Sequence, residues 1–275
     1  MSPPSTPLQA DQFGYLQQHI YAGSGIVLDA EKQYLLDARL APLLRERGLA
    51  SLGELCELLR STEASPLHRQ VVEAMTTNET YFFREPNQYQ ALREGILPEV
   101  IALRRATRKL SFWSAASSAG QEAYSLAMML LEMGLEDWNI EILGTDLCLR
   151  VLEQAQSGQY SQLEVNRGLP VTLLLKYFRR AGLAWQLKDE VRRMAHFRPF
   201  DLRSGMRSLG PFDVVFCRNV LIYFDMATKR RILEEIHGSL FRGGCLIVGT
   251  TEAGLPSGDR YQRQTIGNTV VYLAC

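Results

Sequence analysis

Four groups of residues have the types and spacing to do chemistry. The first runs from Leu110 to Ala116, apolar and short enough for a buried strand. It continues through Ser117, Ser118, Ala119 and Gly120 into a helical stretch from Gln121 to Met133. A strand, a small-residue turn and a helix can cradle a nucleotide-like ligand: small side chains let the backbone approach, and the helix start offers free N–H groups to a carboxylate or phosphate. Gly120 is the one glycine of the turn and no G-x-G-x-x-G is present, so taken alone an ordinary tight connection describes these residues better. The second is Asp146, 26 residues after Gly120 at the end of the next apolar run. An acid there can accept from both hydroxyls of a ribose or can cap the following helix, and the two uses are compatible.

The third group, Thr76-Thr77-Asn78-Glu79-Thr80-Tyr81-Phe82-Phe83-Arg84, packs hydrogen-bonding side chains, three aromatics and an arginine into nine residues. The aromatics suit a staple between domains; the Thr-Thr-Asn run ahead of them is not explained that way. The fourth is Phe212 to Phe224, in which a buried strand is followed at once by Arg218-Asn219, with Tyr223 four residues on. Polar side chains just past the carboxyl end of a strand are well placed for a site, although an exposed Arg-Asn loop with a buried Tyr fits the same letters.

The elements around these groups change character along the chain. Asp11–Ala22 is a short amphipathic stretch, Asp29–Arg47 with a kink at Pro42 and a helix capped by Ser51 carry leucines at helical spacing, Pro66–Met75 is a further helix, and nothing there alternates with period two. After Glu94 the pattern alternates. A helix from Ile96 to Arg105 leads to strands at 110–116, 140–145, 212–217, 245–250 and 269–273, with helices at 121–133, 147–156 and 227–241. That order predicts a parallel sheet with helices on both faces. Between Gly158 and Phe197 the sequence predicts a polar helix and then a small hairpin whose turn is Asp189-Glu190. The expected organisation is a helical domain over 1–88 with a disordered tail at 1–7, a linker helix over 89–107, and an α/β domain over 108–275 with an insertion at about 158–197.

Composition narrows the function classes. Hydrophobic residues make up 46% and charged residues 22%, as in ordinary globular proteins. Thirty basic residues balance thirty acidic ones, which removes the broad basic field of a nucleic-acid binder. Cys56, Cys148, Cys217, Cys245 and Cys275 are scattered, form no C-x-x-C pair and do not cluster with the histidines, so no metal is expected and a reducing cytoplasm is. Met1–Pro7 has no apolar core for a signal peptide, and no apolar run reaches membrane-spanning length.

Three blocks, Thr76–Arg84, WSAASSAGQEAYSLAM from Trp113 to Met128, and FDVVFCRNVLIYF from Phe212 to Phe224, make the sequence resemble the CheR family of chemotaxis protein methyltransferases, from about Phe13 to the C-terminus. The resemblance implies an α/β fold: a Rossmann-like S-adenosylmethionine methyltransferase domain with an N-terminal all-helical domain and a small inserted antiparallel subdomain. It implies that Asn78, Thr80, Arg84, Glu122, Asp146, Arg218 and Asn219 contact the cofactor, with Asp201-Leu202 at the adenine. Arg84 and Tyr223 are then nearest the transferred methyl and are the catalytic candidates. Gln121-Glu122-Ala123 departs from the family's Glu-Glu-Pro, and Asp201 stands where Asn is usual. An acid there accepts from the adenine amino group but cannot donate to a ring nitrogen, and both departures bear on affinity.

The implied reaction is an in-line methyl transfer from S-adenosylmethionine to receptor glutamates, leaving S-adenosylhomocysteine. It needs neither a metal nor a covalent intermediate, and the expected enzyme is a cytoplasmic monomer. The family's docking face on its second helix would correspond to Lys32, Arg39 and Arg47, where Glu46 interrupts and the domain is net acidic. Those three are the candidate contacts to the cytoplasmic helices of chemoreceptors. The short loop from about Leu183 to Arg193 implies that a receptor tail peptide is not needed. Alternatives are a methyltransferase for another substrate, or a cofactor-sensing signalling module with little catalysis.

Overall fold

The computed structural model describes residues 8–62, 65–254 and 258–275; the tail expected over 1–7 lies outside them. Two compact units emerge. One comprises the described part of Met1–Thr77 together with Tyr223–Asp225, and the other Asn78–Ile222 with Met226–Cys275. Residues 78–88, which the sequence places with the helices, therefore group with the sheet.

The first unit consists of helices α1 (Ala10–Ser24), α2 (Tyr34–Arg47), α3 (Leu52–Ser61) and α4 (Pro66–Met75). Leu16, Ile20, Leu36, Leu40, Leu55, Leu59 and Val71 recur at helical spacing and close one buried cluster. As expected, Ser51 caps α3 by accepting from Glu54 N–H at 3.2 Å. One expectation is corrected. Asp29–Arg47 is not a single helix, because a 3-10 turn over Ala30–Lys32 precedes α2. Lys32, paired with Asp29 at 2.9 Å, is therefore not on the face of α2. Arg39 is turned to other work: its guanidinium donates to the Met75 carbonyl and, at 2.8 Å, to Thr77 Oγ1.

The second unit begins with α5 (Pro86–Ala91), a π-helical turn, and α6 (Leu97–Arg104). It continues through strands β1 (Lys109–Ala115), β2 (Asn139–Asp146), β3 (Gln159–Ser161), β4 (Phe178–Ala181), β5 (Ala184–Leu187), β6 (Ala195–Pro199), β7 (Phe212–Cys217), β8 (Leu240–Val248), β9 (Tyr261–Ile266) and β10 (Thr269–Ala274). Its other helices are α7 (Gln121–Glu132), α8 (Leu149–Ser157), α9 (Gln162–Asn166), α10 (Val171–Tyr177), α11 (Asp189–Arg192) and α12 (Met226–Gly238). Seven strands form one sheet in the order β6-β2-β1-β7-β8-β10-β9. Strands β6, β2, β1, β7 and β8 are mutually parallel, and β10 and β9 add an antiparallel edge. Chain order runs outward to one side from β1 and to the other from β7. The switch point therefore falls between these two strands, where ligands enter such sheets.

Leu110, Phe112, Val214, Phe216, Cys245 and Ile247 point to one face of the sheet. They are sealed there by Tyr89, Leu92, Leu97 and Val100 and by Leu126, Ala127 and Leu130 of α7. At about 25 cal/mol per Å² of apolar surface removed from water, burying that face stabilises the unit.

The insertion differs from its expected form. The hairpin pairs β4 with β5 around Gly182, which holds a left-handed φ of 62°, and β3 adds a third antiparallel strand. Asp189-Glu190 opens the helical turn α11 instead of a hairpin turn, and β6 belongs to the main sheet. Acidic residues suit a helix start, so the pair is better placed there than in a turn that demands positive φ. No helix among the described residues is long and apolar enough to cross a membrane.

Candidate active site

The carboxyl ends of four neighbouring strands bring together most of the residues singled out from the sequence. After β1 the chain runs through Ala116 and Ser118 with φ of 57° and 49° before Gly120 at 88°. Glycine fits the last position for two reasons. Its φ is left-handed, and a Cβ there would lie 2.9 Å from Ala155 Cβ. This irregular turn is fastened to the other groups through Ser118. Its N–H donates to Asp146 Oδ2 at 2.9 Å and its hydroxyl to the Asn78 carbonyl at 2.8 Å. Asp146, buried at the end of β2, also accepts from Cys148 N–H at 2.9 Å through its other oxygen. Cys148, not Asp146, is the N-cap residue of α8, so the carboxylate braces the turn ahead of that helix. The next turn over carries Asp201 and the buried Leu202, just beyond β6 and beside β2, where Phe200 N–H donates to the Asp146 carbonyl at 2.9 Å. Asp201 is held by the Arg203 guanidinium at 2.6 Å.

Beyond β7 lies a charged hub. The Arg218 side chain is only 1% exposed. It donates to Glu122 Oε2 at 2.9 Å and to the Arg84 carbonyl, and stands 3.7 Å from Glu85. Glu122, in the first turn of α7, accepts from the Ser114 hydroxyl at 2.7 Å with its other oxygen. Burial opposes the charge on Arg218, but Glu122, Tyr89 and Glu85 outweigh it and raise its pKa further. Glu85 shows the complementary effect. Burial pushes its carboxyl up, yet hydrogen bonds from Thr250 and Asn219 and the charge of Arg218 hold it below the usual carboxylate value. Asn219 is fixed at both nitrogens, with Nδ2 on Glu85 Oε1 at 3.0 Å and its backbone N–H on Glu252 Oε2 at 2.7 Å.

The segment 78–84 lies beside the insertion. Phe82 is fully buried against the rings of Tyr160 and Phe178, Arg167 sits over the Tyr81 ring at 4.4 Å, and Gly168 lies where a Cβ would meet the Phe82 carbonyl. The aromatics therefore staple this segment to the inserted subdomain. They leave Asn78, Thr80 and Arg84 only partly covered, and Arg84 Nη1 donates to the Glu79 carbonyl at 2.9 Å.

Backbone strain is concentrated here. Six described non-glycine residues have positive φ, and five of them, Phe83, Glu85, Ala116, Ser118 and Asn219, line this region. Each costs on the order of 1–3 kcal/mol and persists only where its surroundings impose it, which is a mark of functional sites. Two buried oxygens near the turn, Ser117 Oγ and Gln121 Oε1, lack a donor. A ligand bringing ammonium and hydroxyl donors to this turn suits such acceptors. Glu85 and Glu252 were not anticipated from the sequence, although both organise the loop after β7. Tyr223 ends a 3-10 turn over Leu221–Tyr223 and groups with the helical unit, where its carbonyl accepts from Val27 N–H at 3.0 Å. No group of His, Cys, Asp and Glu among the described residues is arranged to hold a metal ion.

This geometry can be set beside known proteins. Residues 11–76 match the family described as the CheR methyltransferase all-alpha domain, and residues 78–270 match its SAM binding domain. Chemotaxis protein methyltransferase 1 of Pseudomonas aeruginosa is 42% identical over 256 residues, covering 91% of this chain and 93% of the relative. Chemotaxis protein methyltransferase Cher2 of Pseudomonas putida is 40% identical, with 91% and 93% covered. The chemotaxis protein methyltransferase of Vibrio parahaemolyticus is 38% identical, with 90% and 91% covered. Both units are thus accounted for, with the family boundary at the same junction that divides the structure, and the chain belongs to the CheR family of S-adenosylmethionine-binding methyltransferases.

Proposed function

We propose that the chain transfers the methyl group of S-adenosylmethionine to glutamate side chains of methyl-accepting chemotaxis receptors in the cytoplasm, forming methyl esters. The observation that carries this reading is the convergence of the 116–120 turn, Asp146, Asp201-Leu202 and Arg218-Asn219 at adjacent strand ends beside the switch point. The family membership supplies the reaction class, and the relatives' chemotaxis names support an acceptor that belongs to chemotactic signalling.

When bound, the cofactor supplies an activated methyl on a sulfonium. Asp146 would accept from its ribose hydroxyls, and Leu202 with Asp201 would border its adenine. Asn78, Thr80, Arg84, Glu122, Arg218 and Asn219 would complete the cradle, Glu122 and Arg218 mainly by holding one another in place. A glutamate acceptor is ionised at neutral pH, so no strong base is needed. The protein contributes alignment, worth about 7–11 kcal/mol at best, and a dry site in which charges neutralise. By the family resemblance, Arg84 would orient the incoming carboxylate and Tyr223 would offer its hydroxyl to the reaction.

For receptor docking we propose the exposed cations Lys32 and Arg47, the latter donating to Gln70 at 2.7 Å. Arg39 serves chiefly to hold the strand-like exit from α4. The test is transfer of labelled methyl to cytoplasmic receptor fragments, scored as methanol released by mild base. Label that resists base, or none despite confirmed cofactor binding, would sink the proposal.

A further inference from the structure

Glu252 lies in a Thr-Thr-Glu turn beyond β8 and belongs to none of the blocks discussed above. It is 2% exposed, although nothing in its own segment requires a buried acid. Its carboxylate collects three backbone N–H groups: Asn219 at 2.7 Å, Gly249 at 2.8 Å and Ile222 at 3.1 Å. Two of the three belong to the loop after β7. One of those is Asn219, whose φ of 58° is left-handed. A backbone bent that way holds its position only when neighbouring groups impose it. From the other side, Glu85 takes the Asn219 side chain at 3.0 Å and Thr250 N–H at 3.0 Å. Both nitrogens of Asn219 are therefore bonded to carboxylates, which leaves its Oδ1 and the second Nδ2 hydrogen as the groups it can present to a ligand.

Gly249 reports how tight the junction is. Its φ of −61° suits any residue, yet a Cβ there would stand 2.7 Å from Asn219 Nδ2 and 2.7 Å from Glu252 Oε2. The glycine is needed for close approach, not for its backbone angle.

We infer that Glu252 is a positioning residue: it fixes the strained Arg218–Ile222 loop so that Asn219 faces S-adenosylmethionine, without itself touching the cofactor. The inference rests on reading Arg218-Asn219 as cofactor-binding. A charged acceptor holds its donors more strongly than a neutral one, and an amide at this position keeps the shape but exchanges one acceptor oxygen for a donor aimed at backbone N–H.

The test measures S-adenosylhomocysteine binding by calorimetry on the full chain for wild type, Glu252→Gln, Gly249→Ala and Asp146→Asn, with melting temperatures recorded for each. The expected result is at least about tenfold weaker binding for Glu252→Gln and for Gly249→Ala. The KM for S-adenosylmethionine should rise while the KM for the protein acceptor stays put, a split that general loosening of the fold would not give. If Asp146→Asn weakens binding but neither Glu252→Gln nor Gly249→Ala does, the inference is overturned and the site reading stands. If none of the three changes affinity, the site reading falls and takes the inference with it. Should Glu252→Gln not fold, Gly249→Ala decides, and wild-type affinity there overturns the inference.

Discussion

Replacing Arg218 by methionine should damage the second unit more than any other single polar change described above. The guanidinium is nearly inaccessible, bonded to Glu122 at 2.9 Å and close to Glu85 at 3.7 Å, with the Tyr89 and Phe216 rings 5.7 and 5.8 Å away. An ion pair at about 4 Å and an effective dielectric constant of about 20 gains about 4 kcal/mol before desolvation. Removing one partner of a buried pair and stranding the other costs about 3–5 kcal/mol. Folded domains have about 5–15 kcal/mol in hand, so this is a large fraction of the total. Trp113, Trp138 and Trp185 all lie in the second unit, and tryptophan fluorescence during urea unfolding therefore reports on it alone. The midpoint should fall with the slope unchanged. Arg218→Met combined with Glu122→Leu should recover much of the loss, because the stranded charge goes with its partner, whereas Glu85 keeps its bonds from Thr250 and Asn219. A loss below about 1 kcal/mol for Arg218→Met, or a double variant whose losses simply add, would refute this account of the hub.

Four further outcomes follow from the same geometry. Glu85 has a folded-state pKa below its ordinary 4.5, so its stabilising contribution is complete above pH 4.5 and is lost as pH falls through the lower folded value. Melting temperature against pH should drop more steeply on the acid side in wild type than in Glu85→Gln, and parallel curves would show that the carboxylate is not held as described. Asp146→Asn should weaken S-adenosylhomocysteine binding by about 10–100-fold, because a charged acceptor is lost from the proposed ribose position; calorimetry showing less than about threefold would contradict that role. Gly120→Ala should destabilise by at least about 1 kcal/mol, since φ is 88° and the new Cβ would sit 2.9 Å from Ala155, which thermal unfolding checks against wild type. A peptide from a receptor's C-terminal tail should bind less tightly than micromolar in a pull-down, and tighter capture would overturn that expectation.

Much of this site was legible because its letters are local. A strand, a small-residue turn and a helix are adjacent in sequence, and Asp146 and Arg218-Asn219 announce themselves by following apolar runs at once. What could not be read is what depends on adjacency between distant segments. Glu252 matters only because β7 and β8 are neighbours, and no spacing rule links it to Asn219, 33 residues away. Glu85 has a left-handed backbone that glutamate letters do not signal. β9 was missed because Gln262, Arg263, Gln264 and Thr265 are exposed on an edge strand, which leaves no apolar alternation to detect. The hairpin pairs Trp185 to Leu187 with Phe178 to Arg180 across Gly182-Leu183, where a left-handed glycine is supplied, and the letters around Asp189-Glu190 do not signal that pairing. The separation of Lys32 from α2 is not legible, because the 3-10 turn over Ala30–Lys32 passes into α2 through Gln33 in helical geometry and leaves the leucine spacing nearly intact.

The most direct test of the central claim is methyl transfer itself. The purified chain, labelled S-adenosylmethionine and cytoplasmic receptor fragments should yield receptor-bound label that mild base releases as methanol, and Arg84→Ala should abolish it. Label stable to base, or undiminished in Arg84→Ala, would contradict the account.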